Sequence, residues 1–503
     1  MICVLQFDAA SVAVVERMLA AGRLPVLAGL IARGRQMTLQ TPADHFAAGA
    51  FHTLYSGIEL ADHGLFYPFQ WDPRSQRARY MTAFPAPPAI WERLARAGRR
   101  TLALDPYESR PPQDWLGTYV CGWGFRDRVV LPRWALPRAA GAHLAGVHGK
   151  GPHATEIFGR PTVRELLALR TKLVAAPGRV AYAAVELLGR ESYDLAWLTF
   201  SAAHLAGHQF WDLSQLAQEP EGRDRELLQG ALEDVYAEVD AAFGRVLDAL
   251  PGDCDVIVAS AVGMDVNSSR ADLLPQMLEA VLRGGPLPPD ADGGGPGAIW
   301  RLRAAIPPGA RGAIAQALPD RVALELTARL ELRGIDWSQA AAFCHPADNQ
   351  GYIRLNLRGR ERDGIVDPGE AGALLRTIAE GLATFRDPDG APAVASVDRV
   401  AEHHAGERAG QLPDLVVQWS ERPATTLAGV HSPSLGDVLR RGTGSGRSGN
   451  HTPGDAWAVV VPGVHGARVP DRPPRLADVA STVAAACGVD GAGLAGESLL
   501  GEG

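Results

Sequence analysis

The chain has 503 residues, with 49 Lys and Arg against 57 Asp and Glu and a formal net charge of −8. At roughly 150 residues per domain this length allows about three folding units, or one large α/β sheet carrying insertions. Mild acidity and the lack of any dense basic run exclude the electrostatic footprint of a nucleic-acid or anionic-membrane binder, and the apolar stretches near Val256 and Val459 fall well short of the roughly 20 residues a membrane helix needs.

The first residues, Met1-Ile2-Cys3-Val4-Leu5-Gln6-Phe7-Asp8, read as a buried strand without a basic leader, which points to the cytoplasm. Five scattered cysteines (Cys3, Cys121, Cys254, Cys344, Cys487) with no CxxC spacing read as buried structural thiols. Lys150 and Lys172 are the only lysines, a bias expected of a GC-rich bacterial coding sequence.

Along the chain, strand-like runs alternate with helical patterns. The strand Ile2–Phe7 precedes an amphipathic segment over 11–33, where Val12, Val15, Met18 and Leu19, then Leu27, Leu30 and Ile31, approximate the 3.6-residue period. Short apolar runs follow at Thr101–Leu104, Leu195–Phe200, Asp255–Ser260, Leu415–Trp419 and Ala456–Val461. Continuously apolar strands separated by helices predict a mainly parallel central sheet flanked by helices on both faces. Function then collects at the carboxyl ends of the strands, where Asp8, Ser201 and Ser260 stand. The expected organisation is an α/β core in three parts, 1–110, 191–266 and 337–503. A Trp-, His- and Arg-rich cap is expected at 111–190, and an insertion at 267–336 with a flexible Gly/Pro loop over 284–296 before a helical pair.

Six landmarks in order resemble the alkaline phosphatase superfamily, in particular the type I phosphodiesterase/nucleotide pyrophosphatase family. They are the strand ending in Asp8; Phe51-His52-Thr53-Leu54-Tyr55-Ser56-Gly57 followed by Asp62-His63-Gly64; Ser201-Ala202-Ala203-His204-Leu205-Ala206-Gly207-His208 through Trp211; Asp255 to Met264; Gly351 to Glu361 with Gly364-Ile365-Val366; and Pro413 to Val417 followed by Arg447-Ser448-Gly449-Asn450-His451-Thr452-Pro453-Gly454. The resemblance implies an alkaline-phosphatase-like fold with two metal ions side by side at the sheet's carboxyl edge, which together stabilise the attacking and leaving groups.

Carried over position by position, the first metal's ligands read His204, His208 and His451, so the family's Asp has become a third imidazole. His204 and His208 are four apart and share one face if helical. Three imidazoles with an open position suit a single transition-metal ion, Zn, Fe, Mn or Cu. Of the second metal's ligands only Asp8 remains. Ala47 stands at the nucleophile position, ten residues before Gly57, and Ala261 and Val262 replace the Asp-His pair, so that half of the site is expected to hold no ion. Asp8 is expected as nearby carboxylate, metal ligand and general base, with His45 as a second candidate catalytic residue.

Asp44, His45, His52, Asp265 and Asn267 are further candidates to reach the emptied half. His63 reads as a structural landmark, and His403 and His404 as surface residues. His143, His148 and His153 belong to the expected cap, while Trp123, Arg126 and Trp211 are placed at a pocket or, as ordinary packing, at the cap boundary. The leading expectation is a metal-dependent enzyme with a rebuilt mononuclear three-histidine site acting on a small-molecule substrate, by non-covalent hydrolysis or a non-hydrolytic tailoring reaction. The alternatives are a catalytically silent scaffold or binding protein, and a phosphodiesterase, phosphatase or sulfatase-like hydrolase with substitute ligands.

Overall fold

The computed structural model describes residues 1–125, 133–152, 155–157, 159–288, 335–347, 349–440, 446–468 and 470–501. Its centre is an eight-stranded sheet in the order Arg35–Leu39, Ala456–Val461, Asp255–Ser260, Ile2–Phe7, Leu195–Phe200, Thr101–Leu104, Gly117–Cys121, Trp134–Leu136. Ile2–Phe7 pairs in parallel with Leu195–Phe200 and Asp255–Ser260, and Thr101–Leu104 in parallel with Leu195–Phe200 and Gly117–Cys121. These strands are fully buried because helices cover both faces, which is why they read as unbroken apolar runs. Phe7 lies opposite Phe200, and Gln6 opposite Ala259. The register therefore brings Asp8, Ser201 and Ala261 to one edge.

The segment expected as a cap is instead part of this layer. Gly117–Cys121 and Trp134–Leu136 extend the sheet. The 26-residue helix Val163–Leu188 packs its buried stripe, including Leu166, Leu169, Leu173 and Leu187, into the main core. Gly117–Cys121 mixes Gly and Thr with its apolar residues and Trp134–Leu136 is only three residues long, so neither announces itself by period. The 11–33 segment forms two helices, Val12–Ala20 and Pro25–Arg33, separated by Gly22 at φ 68°.

Leu415–Trp419 departs from expectation as well. It is a central strand of a separate four-stranded antiparallel sheet, ordered Ala342–His345, Gly351–Leu355, Leu415–Trp419, Val394–Arg399. Leu415, Val417 and Trp419 face a second core built with the helices Leu274–Arg283 and Pro368–Leu382. Val416 faces the other way, onto Phe46, Leu60, Phe66 and Tyr352. Covered on both faces, an antiparallel strand has the same sequence pattern as a parallel one. The third part of the chain, 337–503, is thus divided between the second sheet and Ala456–Val461 of the main one. The expected helical pair after the Gly/Pro loop, and most of that loop, lie outside the described residues.

His345 joins the second sheet to the hairpin of Phe69–Asp72 and Arg77–Tyr80, its Nε2 accepting the Trp71 N–H at 3.1 Å. Burial pushes its pKa down to about 3. The unfolded chain takes up this proton near pH 6.5 and the native state does not, so stability is full above that pH and is lost as pH falls towards 3, by about 1.4 kcal/mol per unit. His345→Gln keeps an acceptor for Trp71 and is expected to flatten the acid limb of urea-unfolding stability by that slope between about pH 6 and pH 4; an unchanged slope refutes the assignment.

Candidate metal centre

The helix Ala202–Phe210 springs from the sheet edge directly after Phe200 and is buried along its whole length. Ala202, Ala203, Ala206 and Gly207 keep it slim enough to lie against its neighbours, and a Cβ at Gly207 would meet Met264 at 2.6 Å. One turn apart on this helix, His204 and His208 face the same space, with Nε2 atoms 3.1 Å apart. His451 enters from the other side, on a loop fixed by the two-residue pairing of Asp265–Val266 with Gly449–Asn450. Its ring lies 4.8 Å from that of His204 and 5.0 Å from that of His208. One donor atom from each of the three rings falls within 4.8 Å of the others, and all three side chains are buried.

Each ring is held from behind. His204 Nδ1 lies 3.0 Å from Asp8 Oδ2, His208 Nδ1 3.1 Å from the Gly449 carbonyl, and His451 Nδ1 3.4 Å from the Gly263 carbonyl. The carboxylate and both carbonyls accept, so each contact is satisfied by a proton on Nδ1. Both glycines are steric necessities: a Cβ at Gly449 would stand 2.2 Å from the Gly207 carbonyl oxygen, and one at Gly263 2.4 Å from Asp455 and Thr452. Tyr107 and Phe125 cover His204, with ring centroids at 4.6 and 5.7 Å.

Nε2 atoms 3.1 Å apart require either a proton on one of the two rings or a cation bound by both. Asp8 Oδ1, fully buried beside this cluster, has no hydrogen-bond partner among the described residues. The converging rings fit a resident metal ion, and an all-imidazole donor set with outer hydrogen bonds from a carboxylate and backbone carbonyls is the usual dress of a transition-metal site. Asp8, expected as a ligand, lies on the far nitrogen of His204 and outside the group of converging donors.

The positions expected to hold a second metal are apolar. Ala47, Ala261 and Val262 are 0–1% exposed within the main core. Among the described residues no second group of three or more metal donors exists. His45 is not part of the centre, contrary to the expectation of a catalytic role. Phe46 anchors in the cluster with Phe66 and Tyr352, which turns His45 outward to the second sheet. There its Nδ1 lies 3.1 Å from His404 Nε2 and its Nε2 3.6 Å from Asp398 Oδ2. Burial lowers the His45 pKa despite Asp398, and burial with the neighbouring His45 and His403 takes His404 down to about 4. His404 is therefore a packed seam residue rather than the surface residue expected.

The remaining candidates have structural partners. His52 is buried, with its pKa pushed down to about 3, and His63 bonds Thr53 Oγ1. Asp265 is exposed, and Asn267 braces the His451 loop through the Arg447 carbonyl. Asp44 receives Gln418 on its own carbonyl, His143 pairs with Glu186, and the His148 ring lies near Trp123. Trp211 donates its backbone N–H to Ser448 Oγ. His153 and Arg126 lie outside the described residues.

Sequence reasoning missed two residues at the centre. Glu156 Oε1 stands 3.8 Å from His208 Nε2, and Arg447 Nε donates to the same oxygen at 2.8 Å; both side chains are buried. The pair is separated by 291 positions; Arg447 lies in the sixth landmark with no role attached to it, and nothing in the sequence around Glu156 singles it out. Nearby, a cavity of about 10 Å³ bounded by Asp105, Phe125, Ser201 and Ala202 has room for one water molecule. Burial raises the Asp105 pKa to about 7, against the backbone N–H groups of Trp123 and Gly124 that bond its carboxylate.

The model of the type I phosphodiesterase/nucleotide pyrophosphatase family matches residues 2–428. The chain belongs to this family. The matched region holds Asp8, His204 and His208 and stops short of His451. Among solved structures, the chain is similar to a phosphonoacetate hydrolase from Sinorhizobium meliloti 1021 in complex with phosphonoformate, at 13% identity, 97% and 95% coverage of the two chains and a TM-score of 0.51. It is also similar to murine ectonucleotide pyrophosphatase/phosphodiesterase 5, at 12% identity, 99% coverage of both chains and a TM-score of 0.50. These likenesses bear on fold, and they support the mainly parallel α/β architecture expected for the alkaline phosphatase superfamily. Among curated proteins no sequence matches the chain. No helix among the described residues is long and apolar enough to cross a membrane.

Proposed function

We propose that the protein is a cytoplasmic metal-dependent enzyme of this family whose two-metal centre has become mononuclear, held by His204, His208 and His451, and which acts on a small-molecule substrate. The observation that carries this reading is the convergence of one donor atom from each of three buried imidazoles within 4.8 Å, with an acceptor behind the Nδ1 of each ring. When bound there, a Zn, Fe, Mn or Cu ion supplies Lewis acidity and lowers the pKa of coordinated water. Asp8 keeps the His204 proton on Nδ1, the Gly449 and Gly263 carbonyls do the same for His208 and His451, and Tyr107 and Phe125 exclude bulk water from His204. Ala47 offers no hydroxyl for a covalent intermediate.

A hydrolytic reaction at this centre is therefore a single displacement by water. Screening phosphomonoesters, phosphodiesters and sulfate esters with metal-replete protein tests it. For any phosphate ester that is turned over, a chiral-phosphorus substrate is expected to invert, because one displacement inverts and two retain; retention would show a covalent intermediate and overturn the reading. A second reading, a catalytically silent binding protein, is favoured by the burial of all three imidazoles (0–2% exposed), and inactivity across the whole panel would leave it and a non-hydrolytic reaction in place of hydrolysis.

A further inference from the structure

The three rings of the centre are not held equally. His204 and His208 share a buried helix, and their Nδ1 atoms lie 3.0 and 3.1 Å from their acceptors. His451 stands on a loop, and its Nδ1 lies 3.4 Å from the Gly263 carbonyl, the longest of the three contacts. A hydrogen bond of that length directs a ring weakly, so the orientation of His451 depends on its main chain. Both main-chain groups of His451 are taken by asparagine side chains. Asn450 Oδ1 accepts the His451 N–H at 2.9 Å, and Asn349 Nδ2 donates to the His451 carbonyl at 2.6 Å from 102 positions away. Asn349 is buried in the turn between Ala342–His345 and Gly351–Leu355 of the second sheet. Its own carbonyl fixes it there, accepting Trp419 Nε1 and Ser269 Oγ at 2.8 Å each. Asn267 grips the other end of the same loop, donating Nδ2 to the Arg447 carbonyl at 2.9 Å and its backbone N–H to the Ser448 carbonyl at 2.8 Å.

We infer that Asn349 is the positioning residue of the third histidine, so that the metal centre is assembled across two sheets. The carboxyl edge of the main sheet carries His204 and His208, and the second sheet sets His451 through Asn349. This inference rests on the metal-site reading above and deepens it. It makes affinity for the ion depend on a residue that offers the ion no donor. Without Asn349 a buried carbonyl loses its partner, and the loop bearing His451 shifts to find another.

The test uses full-length protein stripped of metal and titrated with Co²⁺ alone. Binding is read by visible absorption and by the paramagnetically shifted imidazole N–H protons, one for each ligand histidine. Asn349→Leu keeps the size of the side chain, removes its donors and opens no room for a substituting water. The variant is expected to retain one ion per chain and to bind it at least about tenfold more weakly. One N–H signal, the one that His451→Gln abolishes, is expected to move while the other two stay. An affinity equal to that of the wild type, or three signals that all stay or all move, would overturn the Asn349 assignment while leaving the three-histidine site in place. Wild-type protein that binds no Co²⁺ would instead overturn the metal-site reading itself. Should Asn349→Leu fail to fold by circular dichroism, the smaller Asn349→Ala takes its place, with the same expected and refuting outcomes.

Discussion

Protein purified without added metal is expected to contain close to one transition-metal ion per chain by elemental analysis, and the double variant His204→Ala/His208→Ala none. Asp8→Ala separates ligand from orienting partner. Asp8 touches the far nitrogen of His204, so its loss is expected to weaken binding by about 10–100-fold rather than abolish it. Two ions per wild-type chain, or none, would sink the mononuclear model. Because the ion binds the native state, adding it at about 1,000 times its Kd is expected to raise unfolding free energy by about 4 kcal/mol. The size of that gain in a denaturant titration checks the stoichiometry independently.

Glu361→Ala is expected to cost about 3–5 kcal/mol of stability, because it strands a buried guanidinium. The Glu361 carboxylate is fully buried, accepting Arg354 Nε at 2.8 Å, Arg360 Nε at 2.9 Å and Trp71 Nε1 at 2.6 Å. Arg354 directs its remaining donors to the carbonyls of Gly410, Gln411 and Leu412. Replacing both partners, as in Arg354→Met/Glu361→Leu, removes the uncompensated charge and is expected to be milder than Glu361→Ala alone. A double variant at least as unstable as the sum of its parts would show that the pair is not coupled. Metal content is expected to stay at the wild-type level in both, since the network belongs to the second sheet.

This network gives physical content to one of the sequence landmarks: the run from Gly351 to Glu361 is a strand and turn locked to Trp71, and it contributes no donor to the metal centre. The strand ends were legible because register in a parallel sheet carries Asp8 and Ser201 to the same edge whatever else varies. His204 and His208 were legible because helical spacing is local. Three features were not. The antiparallel sheet was hidden because Val416 and its neighbours are covered on both faces. Glu156 and Arg447 meet only through the tertiary fold. Gly263 and Gly449 act through their carbonyls and through the side chains they lack, and neither property appears in a motif.

The placement of the third histidine has a consequence for how the molecule is made. His208 and the Gly449 carbonyl that holds it are 241 positions apart, with the whole second sheet between them. During synthesis the first two imidazoles are in place long before the third, so the complete donor set exists only once nearly the entire chain has left the ribosome. The proposed ion, captured at that moment, would act as a cross-link across a very long loop of the fold. In the unfolded chain, closing such a loop has an entropic cost that grows only logarithmically with its length, and a covalent link across even a 100-residue loop is worth about 4.7 kcal/mol in the chain-entropy model. With the proposed ion bound, the centre would also be a clasp, holding the loop of His451 against the helix Ala202–Phe210.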